Sequence, residues 1–226
     1  MKVFILCGGE GTRLRPYTYD LPKPMLLLGN KSILQHIIEK LKKNGLIDYI
    51  LTVGYLKEKI IDYFGNGSKF GVNIKYAEEN EPLGTAGSTL SSKSDIDGAF
   101  VVLMGDALID FDIKDLVSHH KKSKCIATVV VKKHITKVEY GVAKIENKLI
   151  KEFVEKPEIE HFVNTGIYLF ESRIFDFIKE KEDFAKNVFP RLLKSGEKIN
   201  SYELKGKWID IGRKEDYDKI KNGPLL

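Results

Sequence analysis

The chain has 226 residues, 42% of them hydrophobic and 31% charged, which fits one substantial globular core and excludes a disordered or fibrous chain. Its formal net charge of +5 comes from lysines scattered along the chain, with no dense basic stripe interleaved with aromatics. That pattern disfavours nucleic acid and favours small phosphorylated ligands. No apolar run approaches the length of a membrane span, and the opening KVFILC lacks the charged, apolar, small-residue order of a secretory signal. The expected location is therefore the cytoplasm.

The first predicted element is an apolar strand over residues 2–7. It runs into GGEGTRLRPYTYDLPKPM at 8–25, where glycines give way to Arg13, Arg15 and Lys23 with little acidic between them. Glycine lets backbone N–H groups close on an anion with no Cβ in the way, and guanidinium and ammonium groups can neutralise what the amides hold. The expected guest is a polyphosphate. A Walker loop would end in Gly-Lys-Ser/Thr, which is absent. A dinucleotide fingerprint fails at Leu14, where its third glycine belongs, and at the missing acidic ribose reader, so a redox enzyme is set aside. A broad loop wrapping a triphosphate remains.

Downstream, helix and strand alternate: helix 33–44, strand 49–53, helix 56–64, strand 73–77, a helix near 85–92 and strand 99–104. In the first helix Ile33, Leu34, Ile37, Ile38 and Leu41 form one apolar stripe, with Ser32 able to cap its start and Gly45 its end. Continuous apolar strands joined by amphipathic helices indicate a parallel sheet covered on both faces. Asp110 and Asp112 are placed to begin the next helix. The pattern changes after about residue 125, where strands at 126–131, 141–145 and 149–154 follow one another across short turns and read as an antiparallel insertion. A strand at 165–170, a helix at 184–194 and a helix at 214–221 close the chain. The whole is one domain, 1–226.

Several groups carry no chemistry in this reading. Cys7 and Cys125 fit neither a metal spacing nor a disulfide framework and are expected in the core. His119 and His120 sit beside Lys121 and Lys122 on what reads as a solvated helix face. Tyr49, Tyr63, Phe64 and Phe70 are expected in the core.

GGEGTRLRPYT followed by LPKPM resembles the signature of the sugar-1-phosphate nucleotidylyltransferases, and PLGTAG, MGD, VEKP, NTG and WIDIG follow in that family's order. The likeness spans nearly the whole chain and is nearest the mannose-1-phosphate and manno-heptose-1-phosphate guanylyltransferase branch. It implies a three-layer α/β/α, Rossmann-like fold with a mostly parallel sheet and a small antiparallel sugar-binding subdomain. Residues 1–112 would be the nucleotide-binding half and 113–226 the sugar-binding half, without the carboxyl-terminal β-helix of longer members, so any association of chains would use the α/β domain itself.

The implied reaction is attack by the phosphate of a sugar 1-phosphate on the α-phosphorus of a nucleoside triphosphate. The resemblance lays Gly8, Gly9 and Gly11 along the nucleotide, Arg13 on the leaving phosphates and Lys23 on the triphosphate. Asp106, at the end of a buried strand, and Asp210 match the two aspartates that hold Mg²⁺. Glu155 matches a glutamate that accepts hydrogen bonds from sugar hydroxyls, Lys156 a lysine that meets the sugar phosphate, Asn164 and Gly166 the sugar-contacting pair, and Gly141 the close approach beneath the ring. Gly84 would bring backbone against the base. A carboxylate at Glu79 or Glu81 could accept the paired N–H donors of guanine, which favours GTP over dTTP or UTP. Glucose-1-phosphate thymidylyl or uridylyl transfer is the alternative within the family, and a non-catalytic nucleotide-sugar-binding regulatory subunit the alternative outside it.

Overall fold

A computed structural model describes residues 1–110 and 112–221. In chain order its elements are β1 (Lys2–Cys7), the small hairpin β2 (Leu27–Leu28) and β3 (Lys31–Ser32), α1 (Ile33–Lys43), β4 (Asp48–Val53), α2 (Lys57–Phe64), β5 (Asn73–Glu78), α3 (Gly84–Gly87), β6 (Phe100–Met104) and β7 (Ala107–Ile109). Then come α4 (Ile113–Ser123), β8 (Ala127–Lys137), β9 (Val142–Glu146), β10 (Leu149–Val154), β11 (Glu158–Phe170), α5 (Phe189–Lys194), β12 (Ile199–Glu203), β13 (Trp208–Asp210) and α6 (Lys214–Ile220).

Seven strands form one sheet in the order β12-β8-β11-β6-β1-β4-β5, in which β11 alone runs against the others. The alternation of β1 explains the layers. Val3, Ile5 and Cys7 enter one apolar cluster with the stripe of α1 and with Ile60 and Phe64 of α2. Phe4 and Leu6 enter a second cluster on the opposite face, with Phe100, Phe170, Phe184 and Leu192. A strand buried on both faces needs helices on both, and the three-layer architecture follows. The chain leaves β1 toward β4 and β5, then returns past β1 to β6. The switch in winding opens a crevice above the carboxyl ends of β1 and β6.

Local signals account for the first helix. Ser32 Oγ accepts from Gln35 N–H at 3.2 Å, a cap of about 1 kcal/mol. At the other end Gly45 takes φ +84°, and Leu46 N–H reaches Leu41 C=O while Gly45 N–H reaches Lys42 C=O, the paired bonds of a left-handed helix stop. Asp112 likewise caps α4 through Lys114 N–H at 2.8 Å.

Elsewhere the structure corrects the sequence reading. The helix expected at 85–92 is broken into α3 and a 3₁₀ segment, Leu90–Asp95. Ser88 Oγ and Thr89 Oγ1 donate back to Gly84 C=O and Ala86 C=O, where they compete with the helical ladder. The helix expected at 184–194 opens with a π-turn, Phe184–Val188, ahead of Pro190 in the first turn of α5, where the missing N–H disrupts a regular ladder. Residues 126–131 belong to the main sheet rather than to an insertion, because β8 pairs with both β11 and β12. Only the hairpin β9–β10 and the outer parts of β8 and β11 leave it.

His120 is buried, not solvated: Nδ1 lies 2.7 Å from Thr128 Oγ1 and Nε2 3.2 Å from a Glu171 carboxylate oxygen, partners from the sheet that α4 covers. Burial pushes its pKa below the usual imidazole value, with Glu171 opposing. Cys7 is in the core, whereas Cys125 lies half-buried just before β8. Tyr49 and Phe64 are core, Phe70 is half-buried, and Tyr63 is exposed with its hydroxyl donating to Gln35.

Candidate active site

The glycine loop leaves the carboxyl end of β1 beside Gly54, at the end of β4, and Glu79, just past β5. A Cβ at Gly8 would lie 2.9 Å from Glu79 Oε2, and one at Gly54 would lie 3.0 Å from Gly8 C=O, so the three segments pack closely at this edge of the sheet. Gly11 stands at φ +62°, where it starts a 3₁₀ turn, and Thr18 Oγ1 donates to its carbonyl at 2.9 Å. Gly9 faces open space.

Two adjoining cavities share this loop. One, of about 410 Å³, is lined by Gly8, Gly9, Gly11, Glu79, Gly84 and Asp183, among others. The second, of about 270 Å³, is lined by Gly9, Gly11, Arg13, Lys23, Met104 and Asp106. Leu6, Thr12 and Met104 border both. The basic groups and the amides of the loop thus converge on one crevice, the arrangement expected for a polyphosphate.

Lys23 sits in a 3₁₀ turn between Pro22 and Pro24 and is only 7% exposed. Its ammonium pairs with the Asp106 carboxylate. Asp106 follows β6 through Gly105, where a Cβ would sit 2.6 Å from Cys7 Sγ and 2.9 Å from Leu6 C=O, so the turn can lie flat on the end of β1 only with glycine there. Asp210 is delivered from far along the chain by β13, which pairs antiparallel with β7 and sets Asp210 opposite Ala107. Ile211 N–H also donates to Asp106 C=O at 3.3 Å.

Asp210 opens toward solvent on one side, yet burial on the other raises its carboxyl above the usual aspartate value. Repulsion from Asp106 adds to the rise, and Lys23 and Arg13 oppose it. Two carboxylates that repel each other beside two cations suit a divalent cation through hard oxygen donors. Among the described residues no three metal-ligating side chains cluster, so further ligands would come from substrate phosphates and water.

In the larger cavity Thr52 Oγ1 and Glu79 Oε1 are buried without a hydrogen-bond partner of good geometry. Burial raises the Glu79 carboxyl, and the nearby Ser88, Leu83 N–H and Thr52 only partly offset it. Orphaned polar atoms at a cavity wall are groups that a ligand can satisfy. Glu81 instead turns outward to Lys181 at 2.8 Å. Gly84, at φ +73°, also lines the larger cavity, and a Cβ there would meet Glu182 C=O at 2.5 Å. Arg15 is also turned away, pairing with Glu10 at 3.3 Å and lying over Tyr19.

At the bulge of β11, Asn164 Oδ1 accepts from Gly166 N–H at 3.0 Å and Nδ2 donates to Tyr168 at 2.8 Å. A Cβ at Gly166 would come 2.6 Å from Met104 Cγ, so this bulge abuts the wall common to both cavities. Gly141, Glu155 and Lys156 lie apart, at the base of the exposed hairpin. A Cβ at Gly141 would meet Phe153 Cζ at 2.6 Å and Glu155 Oε2 at 2.7 Å, and Lys156 takes φ +46°.

Thr12, Thr52, Gly105 and Asp183, which also border the site, were not assigned from the sequence. Asp183 Oδ1 accepts from Thr85 N–H at 3.1 Å, a bond that leads in holding its carboxyl below the usual range. Only the Gly-Asp pair at 105–106 offered a local signal.

A family model described as nucleotidyl transferase matches residues 2–223. The chain belongs to the nucleotidyl transferase family. It is 35% identical to a UTP–glucose-1-phosphate uridylyltransferase of Synechocystis sp., with 100% of this chain covering 63% of that protein. It is 38% identical to a mannose-1-phosphate guanyltransferase of Yarrowia lipolytica, with 96% of this chain covering 62% of that protein. The chain thus spans somewhat under two thirds of these relatives. Among solved structures, HddC from Yersinia pseudotuberculosis complexed with GMP-PN superposes with a TM-score of 0.77 at 27% identity, covering 97% of each chain. No helix among the described residues is long and apolar enough to cross a membrane.

Proposed function

We propose that this member of the nucleotidyl transferase family joins a nucleoside triphosphate to a sugar 1-phosphate, giving a nucleotide-sugar and pyrophosphate, with GTP and a manno-configured sugar 1-phosphate as substrates. The observation that carries the reading is the meeting of the glycine loop, Arg13, Lys23, Asp106 and Asp210 around one crevice. In the proposed reaction a phosphate oxygen of the sugar 1-phosphate attacks the α-phosphorus, and the bond to the β-phosphate oxygen breaks. The attacking phosphate is already ionised near neutral pH, so no protein nucleophile is needed; alignment and charge stabilisation suffice.

The amides of Gly8, Gly9 and Gly11 hold the triphosphate. Arg13 and Lys23 stabilise charge on the leaving pyrophosphate. Asp106 and Asp210 would hold Mg²⁺, which when bound neutralises phosphate charge. Glu79 and Thr52 read the base: their orphaned oxygens can accept the adjacent N–H donors of guanine. Asn164 and Gly166 contact the sugar beside Met104, whereas Glu155, Lys156 and Gly141 stand apart from the crevice at the hairpin base and make no contact in this reading.

The named relatives include both guanylyl and uridylyl transferases, which makes base choice the point to test. Pyrophosphate release is measured for GTP, UTP, dTTP and ATP, each crossed with mannose, heptose and glucose 1-phosphates and Mg²⁺. Release led by GTP with a manno-configured sugar is expected. A UTP or dTTP preference overturns the guanine assignment, and no release with any pair overturns the catalytic reading.

A further inference from the structure

The glycine loop is held from outside the crevice by the last helix. Asp210 ends β13, and after Ile211, Gly212 and Arg213 the chain enters α6. This short link lies against the site, since a Cβ at Gly212 would stand 3.2 Å from Asp210 Oδ2 and 3.8 Å from Arg13 Nη1. α6 then packs on the loop itself. The Tyr17 hydroxyl donates to Asp218 Oδ1 at 2.7 Å. Lys221 Nζ donates to the same carboxylate oxygen at 2.7 Å and to the Tyr17 hydroxyl at 3.2 Å. The rings of Tyr17 and Tyr217 meet edge to face, with centroids 5.0 Å apart. Among the described residues, Tyr17, Asp218 and Lys221 line neither cavity, so a bound nucleotide would leave this cluster intact.

A helix of seven residues does not stand alone in water, and α6 is docked on its other flank. The Tyr217 hydroxyl donates to Leu27 C=O at 2.9 Å, Gly29 N–H donates to Lys221 C=O at 3.2 Å, and Tyr217 is buried in the cluster that contains the stripe of α1. Asp218 therefore has a fixed place from which to hold Tyr17.

Tyr17 passes that hold to the amides. Its neighbour Thr18 donates from Oγ1 to Gly11 C=O at 2.9 Å, and Thr18 Cγ2 would lie 3.1 Å from a Cβ at Gly11. From the end of β4, the Tyr55 hydroxyl reaches Thr18 C=O and Tyr19 C=O, each at 2.9 Å, while Tyr55 N–H donates to Gly8 C=O at 3.2 Å. Fixing the Gly11 carbonyl fixes the Thr12 N–H, because the two belong to one planar peptide and point opposite ways. Thr12 borders both cavities. Glycine-rich backbone loses more freedom on ordering than any other, so amides held in advance bind an anion without that loss.

Resting on the triphosphate reading of the crevice, we propose that Tyr17 and Asp218 are positioning residues: the hydrogen bond between them fastens α6 to the glycine loop and holds the loop amides in place for the phosphates of the nucleotide.

Hydrogen exchange on the full chain, read by mass spectrometry, and steady-state kinetics with the nucleotide that the wild type uses best test this in Tyr17→Phe, Asp218→Ala and Asp218→Asn. In Tyr17→Phe the amides of residues 9–14 should exchange about tenfold faster, as for loss of one hydrogen bond to a charged acceptor, with those of β1, β4 and β6 unchanged. KM for the nucleotide should rise by a similar factor while KM for the sugar 1-phosphate stays at the wild-type value. Asp218→Asn, whose amide oxygen still accepts from the hydroxyl, should lie closer to the wild type than Asp218→Ala on both measures. In an active enzyme, unchanged loop exchange in Tyr17→Phe overturns the proposal, and so does faster exchange with an unchanged nucleotide KM, which marks a merely structural contact. A wild type that turns over no nucleotide refutes the triphosphate reading itself, and the proposal with it. Should Tyr17→Phe show altered circular dichroism, the Asp218 variants, on the half-exposed surface of α6, decide the matter: equal exchange and kinetics in Asp218→Ala and the wild type overturn the proposal.

Discussion

Replacing Gly166 with alanine perturbs the point where the second half of the chain meets the crevice. The new methyl group would lie 2.6 Å from Met104 Cγ, and the backbone would keep φ +76°. A left-handed backbone costs an alanine roughly 1–2 kcal/mol. Displacing a methionine stem from a packed wall costs about 1–3 kcal/mol more. The sum, about 2–5 kcal/mol, corresponds to a fall in Tm of about 4–20 °C for a chain of this size.

A double-mutant cycle separates the two parts, because Met104→Ala removes the clash and leaves the backbone strain. Urea denaturation of Gly166→Ala, Met104→Ala and the pair should give a coupling energy of about 1–3 kcal/mol. In the Met104→Ala background, Gly166→Ala should cost only about 1–2 kcal/mol, the left-handed strain by itself. Additivity within about 0.5 kcal/mol would refute the contact between the β11 bulge and Met104 at the cavity wall.

The two aspartates should respond with opposite sign. Asp106→Asn leaves the buried Lys23 ammonium without its partner and should lower stability by about 1–3 kcal/mol, while cutting turnover by orders of magnitude. Asp210 has a raised carboxyl pKa, so the folded state binds its proton more tightly than the unfolded chain, and its ionised form opposes folding above the usual aspartate value. Asp210→Asn should therefore raise stability slightly at pH 7, by at most about 1 kcal/mol for so open a group, with the gain fading below about pH 4; a Tm lower than wild type at pH 7 would contradict this. His120 has a lowered pKa, so its contribution is present at neutral pH and is lost as pH falls through the ordinary imidazole value of about 6.5. His120→Gln should flatten stability between pH 7 and 5, and an unchanged slope in thermal scans would show that another group titrates there. Burial pushes the Cys7 thiol up and makes it a poor nucleophile, so thiol labelling of the native chain should reach Cys125 and spare Cys7 until denaturant is added.

The alternation from β1 to β5 was legible because each piece carries its own signal: a run of apolar residues, a stripe at three and four, a serine or glycine at a helix end. The loop side of the crevice was legible for the same reason, since Gly8 to Lys23 is contiguous and chemically distinctive. Asp210 was marked by the WIDIG resemblance alone; what brings it beside Asp106 is β13 pairing with β7, two strands of three residues each, too short for any periodicity to declare. Burial of His120 depends on Thr128 and Glu171, which belong to other elements, so its lysine-rich neighbours gave the wrong environment. Asp183 and Thr52 reach the cavity by tertiary packing alone. The exposure of the hairpin was hidden too, because the apolar residues of β9 and β10 read like those of strands packed on a core.

In the proposed function the glycine loop and the two convergent aspartates together bind a nucleoside triphosphate with a divalent cation. Isothermal titration of GTP into the wild type and into Asp106→Asn/Asp210→Asn, each with Mg²⁺ and with EDTA, tests it most directly. Tight binding that needs both Mg²⁺ and the aspartates is the predicted result. Equal GTP affinity in all four titrations, or none in any, would contradict it.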